Sequence, residues 1–153
     1  MTQISVIGSG VEHEERAERV GRLLGERGCT LVCGGRGEVM AAAARGARSA
    51  GGTTIGILPG ERREDANEWI DHVVVTGIGH ARNLAVVASG DAVIAVGGEW
   101  GTLSEIAYAR KLGRPVVAIQ SWPLRNRAGT DLGIVEAETP EDAVKTALSA
   151  AAR

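Results

Sequence analysis

The chain has 153 residues, of which 24% are charged and 44% belong to the hydrophobic class, and its formal net charge is −2. This composition is ordinary for a globular protein, and the length is typical of a single domain spanning 1–153. The absence of a basic block argues against nucleic-acid binding. The apolar runs are far too short to span a membrane, so we expect a cytoplasmic protein without a membrane partner.

Short apolar runs alternate with amphipathic segments along the chain. Strands are predicted at 4–8, 30–33, 53–58, 71–76, 91–96 and 116–120, with a short last strand at 133–136. Helices are predicted at 12–27, 38–50, 80–89 and 102–112, and a last helix begins after Thr139, which has an N-cap side chain and is followed by Pro140. Because apolar strands that alternate with helices form parallel sheets covered on both faces, we predict a Rossmann-like, three-layer α/β/α fold with a mostly parallel sheet of six to seven strands.

Three of the predicted strands end in glycine-rich turns. The turns read Gly-Ser-Gly at 8–10, Gly-Gly-Arg-Gly at 34–37 and Gly-Gly at 97–98, and the last precedes Glu-Trp-Gly-Thr at 99–102. Glycine lets the backbone approach a ligand closely, and the open N–H groups at a helix start attract anions. Ligands of such sheets bind beyond the carboxyl ends of the strands, so we expect one phosphate-binding edge.

Two nucleotide-binding motifs can be excluded. The dinucleotide fingerprint needs a third glycine where this chain has His13, and an acidic residue after the second strand, where the chain instead continues with Gly34 and Gly35. No glycine turn is followed by Gly-Lys-Ser/Thr, so there is no Walker-type phosphate loop. We therefore expect neither an NAD-binding site nor an ATP-binding phosphate loop in this protein.

The segment VGGEWGTLSE at 96–105 resembles the PGGxGTxxE signature of the LONELY GUY (LOG) type proteins, whose characterised members hydrolyse the N-glycosidic bond of nucleoside 5′-monophosphates. The similarity is greater to a sister branch, the molybdenum-cofactor-carrier-like proteins. That branch shares GGRGxVM at 34–40, GILPG at 56–60, ARN at 81–83 and GTLSEIA at 101–107. The characterised carrier binds a phosphorylated pterin cofactor and is not known as an enzyme.

The resemblance implies a protein that binds a phosphorylated nucleotide- or pterin-like ligand, a nucleoside monophosphate or a molybdopterin-type cofactor, without chemistry of its own and without a required cofactor. It also implies a homo-oligomer, a dimer or a tetramer. The alternatives are a 5′-monophosphate phosphoribohydrolase, and a structural or interaction protein with a vestigial site. Candidate ligand-binding residues are Gly8, Ser9, Gly10, Gly34, Gly35, Arg36, Gly37, Arg82, Asn83, Gly97, Gly98, Trp100, Gly101, Thr102 and Glu105.

Two of these residues would be catalytic if the protein is an enzyme. Arg82 would orient the substrate, and Glu105 would activate water or stabilise an oxocarbenium-like ribose. Each also has a purely structural interpretation. Arg82 could form an ion pair with Asp91, Glu99 or Glu105. Glu105 could cap its own helix, because Thr102-x-x-Glu105 has the spacing of a capping box.

Glu38 and Glu99 depart from the family pattern, since each stands where glycine is usual. A carboxylate at the mouth of a phosphate turn repels the ligand unless it points away or contacts a cation. Trp100 and Trp122 could stack on a base or pterin, or could serve packing or oligomer contacts. We expect no metal site, and Cys29 and Cys33, on one face of a predicted strand, are expected to be buried reduced thiols.

Overall fold

In a computed structural model that describes residues 1–152, seven strands form one sheet between two layers of helices. The strands are β1 Gln3–Ser9, β2 Thr30–Cys33, β3 Thr53–Leu58, β4 His72–Val75, β5 Ala92–Gly97, β6 Val116–Ile119 and β7 Ile134–Glu136. The helices are α1 Glu14–Glu26, α2 Val39–Ser49, α3 Arg82–Ser89, α4 Trp100–Lys111 and α5 Pro140–Ala151. Short 3₁₀ turns at Val11–His13 and Gly79–Ala81 lead into α1 and α3.

The sheet is entirely parallel, in the order β4-β3-β2-β1-β5-β6-β7. From β1 the chain builds outward to β4, then returns to the other side of β1 and builds outward from β5 to β7. The strand order therefore switches between β1 and β5, which pair from Ile4 opposite Ala92 to Ser9 opposite Gly97. The predicted three-layer, Rossmann-like α/β/α fold is confirmed.

The two faces of the sheet bury separate cores. Ile4, Val6 and Ile94 point to the side covered by α1, α2 and α5. Ile7, Val93 and Ala95 point to the side covered by α3 and α4. This alternation of side chains along buried strands requires apolar residues at nearly every strand position, which is why the strands could be predicted from their composition.

Helices α1 and α2 pack backbone against backbone. A β-carbon on Gly21 of α1 would collide with the carbonyl of Ala43 in α2, and one on Gly46 of α2 would collide with the carbonyl of Glu18 in α1. The glycines thus permit an approach that any side chain would prevent.

The cysteines and the last helix agree with the sequence-based expectations. Cys29 and Cys33 are free and buried, and burial raises the pKa of the Cys33 thiol to about 11, so it stays protonated at neutral pH. At the start of α5, the Thr139 hydroxyl accepts a hydrogen bond from the N–H of Asp142 at 3.1 Å. No helix within residues 1–152 is both long and apolar enough to cross a lipid bilayer.

Several predicted boundaries shift, and one shift affects the site. The predicted helix at 102–112 begins at Trp100, two residues early, because Gly98 (φ 112°) completes the turn and Glu99 then takes an extended conformation as the N-cap residue. The predicted helix at 12–27 is divided between a 3₁₀ turn and α1. The strand expected at 116–120 ends at Ile119, since Gln120 has a positive φ of 46°.

Candidate functional site

The three glycine turns lie side by side. Strands β2, β1 and β5 are neighbours, so the turns at 34–37, 8–10 and 97–98 meet at the carboxyl edge of the parallel sheet. This edge includes the switch in strand order between β1 and β5, the place where α/β sheets of this type bind ligands. The three turns thus meet at one edge of the sheet, as the sequence pattern predicted.

A cavity of about 240 Å³ opens at this edge. Its floor is the end of β1, and its walls come from the turn after β2 and from the first turns of α3 and α4. Eight of the candidate residues line it: Gly8, Ser9, Gly34, Arg82, Asn83, Gly101, Thr102 and Glu105. Val6, Ile7, Met40 and Glu99 complete the lining.

Arg82 is the first residue of α3 and its guanidinium turns inward to the cavity. Burial lowers the pKa of Arg82, and the nearby Glu105 opposes that shift. None of the ion pairs found among residues 1–152 includes Arg82, and its buried Nε has no hydrogen-bond partner there. The interpretation in which Arg82 forms an ion pair with Asp91, Glu99 or Glu105 is therefore wrong.

The space for Arg82 depends on Gly34. A β-carbon on Gly34 would collide with Nη1 of Arg82 and would lie 2.6 Å from the sulfur of Met40. Gly34 is buried and has no positive φ, so its glycine character serves the close approach of the guanidinium rather than a special backbone conformation.

Glu105 faces the same cavity from the second turn of α4. Its side chain is buried, with 8% of the residue exposed. Burial raises the pKa of Glu105 to about 7, and the positive charge of Arg82 limits the rise. A carboxyl group with this pKa can both accept and donate a proton near neutral pH, which is the property required of a general acid or base.

The capping-box interpretation of Glu105 is wrong. Glu99, not Thr102, is the N-cap residue of α4, so Thr102 is the third helical residue and Glu105 lies one turn further on. A side chain at that position cannot reach back to the N-cap amide. Thr102 is nevertheless buried, and it packs against Gly98, where any β-carbon would collide with the threonine side chain.

The remaining candidate residues lie around the cavity rather than in its lining. Gly35 packs against Leu58 and Gly56, and Gly97 packs against the ring of His13. Arg36 and Gly37 are exposed in the turn after β2. The other three candidates outside the lining are Gly10, Gly98 and Trp100.

Trp100 borders a second, adjoining hollow of about 500 Å³. Tyr108 and Leu84 line it as well, and it shares Asn83 and Gly101 with the cavity. Trp100 is 75% exposed, and the centre of its ring lies 5.3 Å from that of Trp122, whose Nε1–H donates a hydrogen bond to the carbonyl of Glu99. Through this contact and hydrogen bond, the tryptophan pair connects the loop after β6 to the start of α4.

The carboxylates that depart from the family pattern have different positions. Glu99 is exposed at the rim of the cavity. Glu38 precedes α2, and its Oε2 accepts a hydrogen bond of 2.7 Å from the N–H of Gly10. Neither carboxylate forms an ion pair with a residue in 1–152, and neither fills the turn at the start of α4.

Sequence reasoning missed the hydrophobic part of the lining. Val6 and Ile7 were predicted only as strand residues, and nothing in their pattern marks the end of β1 as a cavity floor. Met40 had a signal, because it ends the Gly-Gly-Arg-Gly-x-Val-Met segment that carries the family resemblance.

Comparison with known protein families and structures assigns the chain to a family. A model of the SLOG cluster4 family matches residues 1–144. The chain belongs to the SLOG cluster4 family. A protein from Archaeoglobus fulgidus is 42% identical over 156 residues, which cover 100% of this chain and 99% of that protein.

Two further similarities connect this SLOG protein with both branches that it resembles. The molybdenum cofactor carrier protein of Chlamydomonas reinhardtii has a structure with a TM-score of 0.88 and 31% identity, and 99% of each chain is covered. A cytokinin riboside 5′-monophosphate phosphoribohydrolase of Mycobacterium tuberculosis is 36% identical over 118 residues, which span 71% of this chain and 63% of the enzyme. The resemblance to LOG-type and carrier-like proteins is confirmed.

Proposed function

We propose that this protein binds a phosphorylated nucleotide- or pterin-like ligand in the cavity between β1, α3 and α4, without chemistry of its own. The observation that carries the proposal is the inward-facing guanidinium of Arg82, which has no carboxylate partner among residues 1–152. A cation at the start of a helix opposes the helix dipole, at a cost of a few tenths of a kcal/mol. A bound phosphate would offset that cost and hold the guanidinium through paired hydrogen bonds.

Backbone groups near Arg82 are placed to bind the same phosphate. Gly8 and Ser9 approach from the end of β1, and Gly101 and Thr102 belong to the open first turn of α4. The first N–H groups of a helix lack partners within the helix and favour negative charge. A phosphate beside Arg82 would thus have donors on two sides, which is the arrangement that the glycine turns suggest.

The rest of the ligand would extend into the adjoining hollow. That hollow is lined by Trp100, Tyr108 and Leu84, and it meets the cavity at Asn83 and Gly101. Aromatic walls next to a phosphate site suit a flat heterocycle, whether a base or a pterin. The likeness to the Chlamydomonas carrier protein over 99% of each chain favours a carrier over an enzyme.

A phosphoribohydrolase remains the second candidate, because of Glu105. With its pKa raised to about 7, this buried carboxyl group could deprotonate a water that attacks the anomeric carbon of ribose. The bond to the base would break as the new C–O bond forms, with the base taking up a proton and ribose 5-phosphate as the other product. The similarity to the mycobacterial phosphoribohydrolase supports this alternative.

One experiment distinguishes the carrier from the phosphoribohydrolase. A panel of nucleoside 5′-monophosphates is incubated with the wild-type protein and with Glu105→Gln, and free base is measured alongside binding. A carrier shows saturable binding and no base release above that of the variant. Base release by the wild type that disappears in Glu105→Gln establishes the hydrolase. If neither turnover nor binding is seen, the hydrolase and a nucleotide carrier are both contradicted, which leaves a pterin-like ligand or the vestigial site.

We also propose that the protein is a homo-oligomer. Leu84 in α3 and Tyr108 in α4 are 40% and 44% exposed, and Trp100 is 75% exposed on the same helical layer. Large apolar side chains clustered on one face mark an interaction surface more often than a solvent-facing one. A second copy covering this face would also enclose the hollow beside the cavity.

A further inference from the structure

The carboxyl group of Glu105 is buried without a partner. It faces the cavity from the second turn of α4, and only 8% of the residue is exposed. Among residues 1–152, its oxygens form no ion pair and accept no hydrogen bond. Buried carboxylates are normally paired or hydrogen-bonded, because an ionised group loses its water on burial. Glu105 therefore lacks the donors that would hold it in its ionised form.

Arg82 is the one charge that favours ionisation of Glu105 from a neighbouring element. Helix α4 packs against α3, β1, β5 and β6, and among these four elements only α3 has a titratable side chain, Arg82. Strand β2 adds the thiol of Cys33, which stays neutral because burial raises its pKa to about 11. Within the described residues, the third charged group in the cavity lining is Glu99, which is exposed at the rim.

An anion beside Arg82 would change this balance. It would neutralise the guanidinium and would place its own negative charge next to Glu105, in a cavity of about 240 Å³. A like charge at close range in a partly buried site disfavours the ionised form of a carboxyl group. A carboxylate can only accept hydrogen bonds, whereas a protonated carboxyl group has an O–H that can donate to a phosphoryl oxygen. Glu105 would thus repel the ligand when ionised and hold it when protonated.

From this arrangement we propose that an anion bound beside Arg82 draws a proton from solvent onto Glu105, whose neutral carboxyl group then donates a hydrogen bond to the anion. Since burial already raises the pKa of Glu105 to about 7, this proton is available near neutral pH. The inference rests on the proposed function and makes ligand binding weaken as the pH rises. It also gives Glu105 a role in a carrier, where no bond of the ligand is broken.

Calorimetric titration with AMP at pH 8, in Tris and in HEPES, measures the proton uptake. The two buffers differ in their heat of ionisation, so the difference in observed heat gives the number of protons taken up. Because the second pKa of a phosphate monoester is about 6, AMP is already a dianion at pH 8 and takes up no proton beside Arg82. The wild type should take up about one proton, and its affinity for AMP should fall about tenfold between pH 8 and pH 9.

Two variants assign the proton to Glu105. Glu105→Gln keeps a hydrogen-bond donor of similar shape and cannot ionise, so it should bind AMP without proton uptake and with the same affinity at pH 8 and pH 9. Glu99→Gln is the matched control, because it removes a carboxylate from the rim of the same cavity, where the group is exposed to solvent. Its proton uptake and its loss of affinity between pH 8 and pH 9 should match those of the wild type.

Failure of this inference and failure of the proposed function are distinguishable. Binding of AMP without proton uptake, or uptake that persists in Glu105→Gln, overturns the inference and leaves the proposed function intact. Failure of the wild type to bind AMP contradicts the proposed function for nucleotides. The inference is then decided by the ¹³C resonance of the Glu105 carboxyl group, titrated from pH 5 to pH 9 with and without inorganic phosphate. Phosphate should raise the midpoint of this titration, and an unchanged or lowered midpoint overturns the inference.

Discussion

The guanidinium of Arg82 occupies the place where Gly34 would carry a side chain. A β-carbon on Gly34 would collide with Nη1 of Arg82, so the turn after β2 and the start of α3 fit together only because residue 34 is glycine. Strand β2 thereby helps to set the position of a cation that belongs to a helix far along the chain. This relationship connects two separate features of the sequence, a glycine turn and a lone arginine, in one cavity.

We predict that Gly34→Ala weakens ligand binding by displacing Arg82. The affinity for AMP should fall about tenfold or more, because the charge-assisted contacts to phosphate depend on the position of the guanidinium. The measurement is isothermal titration calorimetry with the folded variant, whose fold is checked by circular dichroism. Gly60→Ala is a suitable control, since Gly60 has no positive φ and a β-carbon there would meet its nearest neighbour, Asp65, at 3.7 Å. Equal affinities for the two variants would contradict the dependence of ligand binding on Gly34.

The raised pKa of Glu105 predicts a pH-dependent stability. Its ordinary value is 4.5 and its value in the folded protein is about 7, so the folded state holds this proton more tightly than the unfolded state. The resulting stabilisation is fully present below pH 4.5 and is lost as the pH rises through 7. In Glu105→Gln this loss cannot occur. The free energy of unfolding of the variant, relative to that of the wild type, should therefore increase between pH 5 and pH 8 by on the order of 3 kcal/mol.

Urea denaturation at a series of pH values measures this difference. Glu18→Gln is a control of opposite sign, because hydrogen bonding to Arg45 lowers the pKa of Glu18. Stability from a lowered pKa is present above the ordinary value and is lost in acid, so Glu18→Gln should lose stability relative to the wild type at neutral pH. A pH-independent effect of Glu105→Gln would mean that Glu105 is solvated in the folded protein.

Self-association should depend on the exposed face of α3 and α4. We expect the wild-type protein to sediment as a dimer or tetramer at micromolar concentrations, and Leu84→Glu or Tyr108→Glu to dissociate it, because each places a charge within the apolar contact. Val135→Glu provides the control, since Val135 is 49% exposed but lies on β7 at the far edge of the sheet. Analytical ultracentrifugation distinguishes the species. A monomeric wild type, or dissociation by Val135→Glu alone, would contradict the assignment of this face.

The overall fold was predictable because its determinants are local. The buried strands are mostly apolar, and the turns that follow β1, β2 and β5 contain glycine, so these strand ends could be located from composition. The predicted start of α4 was two residues late, because it relied on a spacing between residues. Thr102-x-x-Glu105 has the spacing of a capping box, but spacing alone does not tell which residue has the extended conformation of an N-cap, and that residue is Glu99.

The composition of the cavity was only partly predictable. The pattern placed Arg82 in the first turn of its helix and Glu105 in the following signature segment, but the depth of their burial depends on packing between distant elements. The hydrogen bond between Glu38 and Gly10 joins residues 28 positions apart, and no periodicity in the sequence indicates it. For the same reason the floor formed by Val6 and Ile7 could not be distinguished from ordinary strand residues.

The most direct test of the account is calorimetric titration with a panel of nucleoside 5′-monophosphates and the corresponding nucleosides. If the phosphate is recognised beside Arg82, at least one monophosphate binds saturably, its nucleoside binds about tenfold or more weakly, and Arg82→Gln removes that difference. Nucleosides that bind as tightly as their monophosphates, or an unchanged preference in Arg82→Gln, would contradict the central claim. Failure of every member of the panel to bind would contradict the claim for nucleotide ligands.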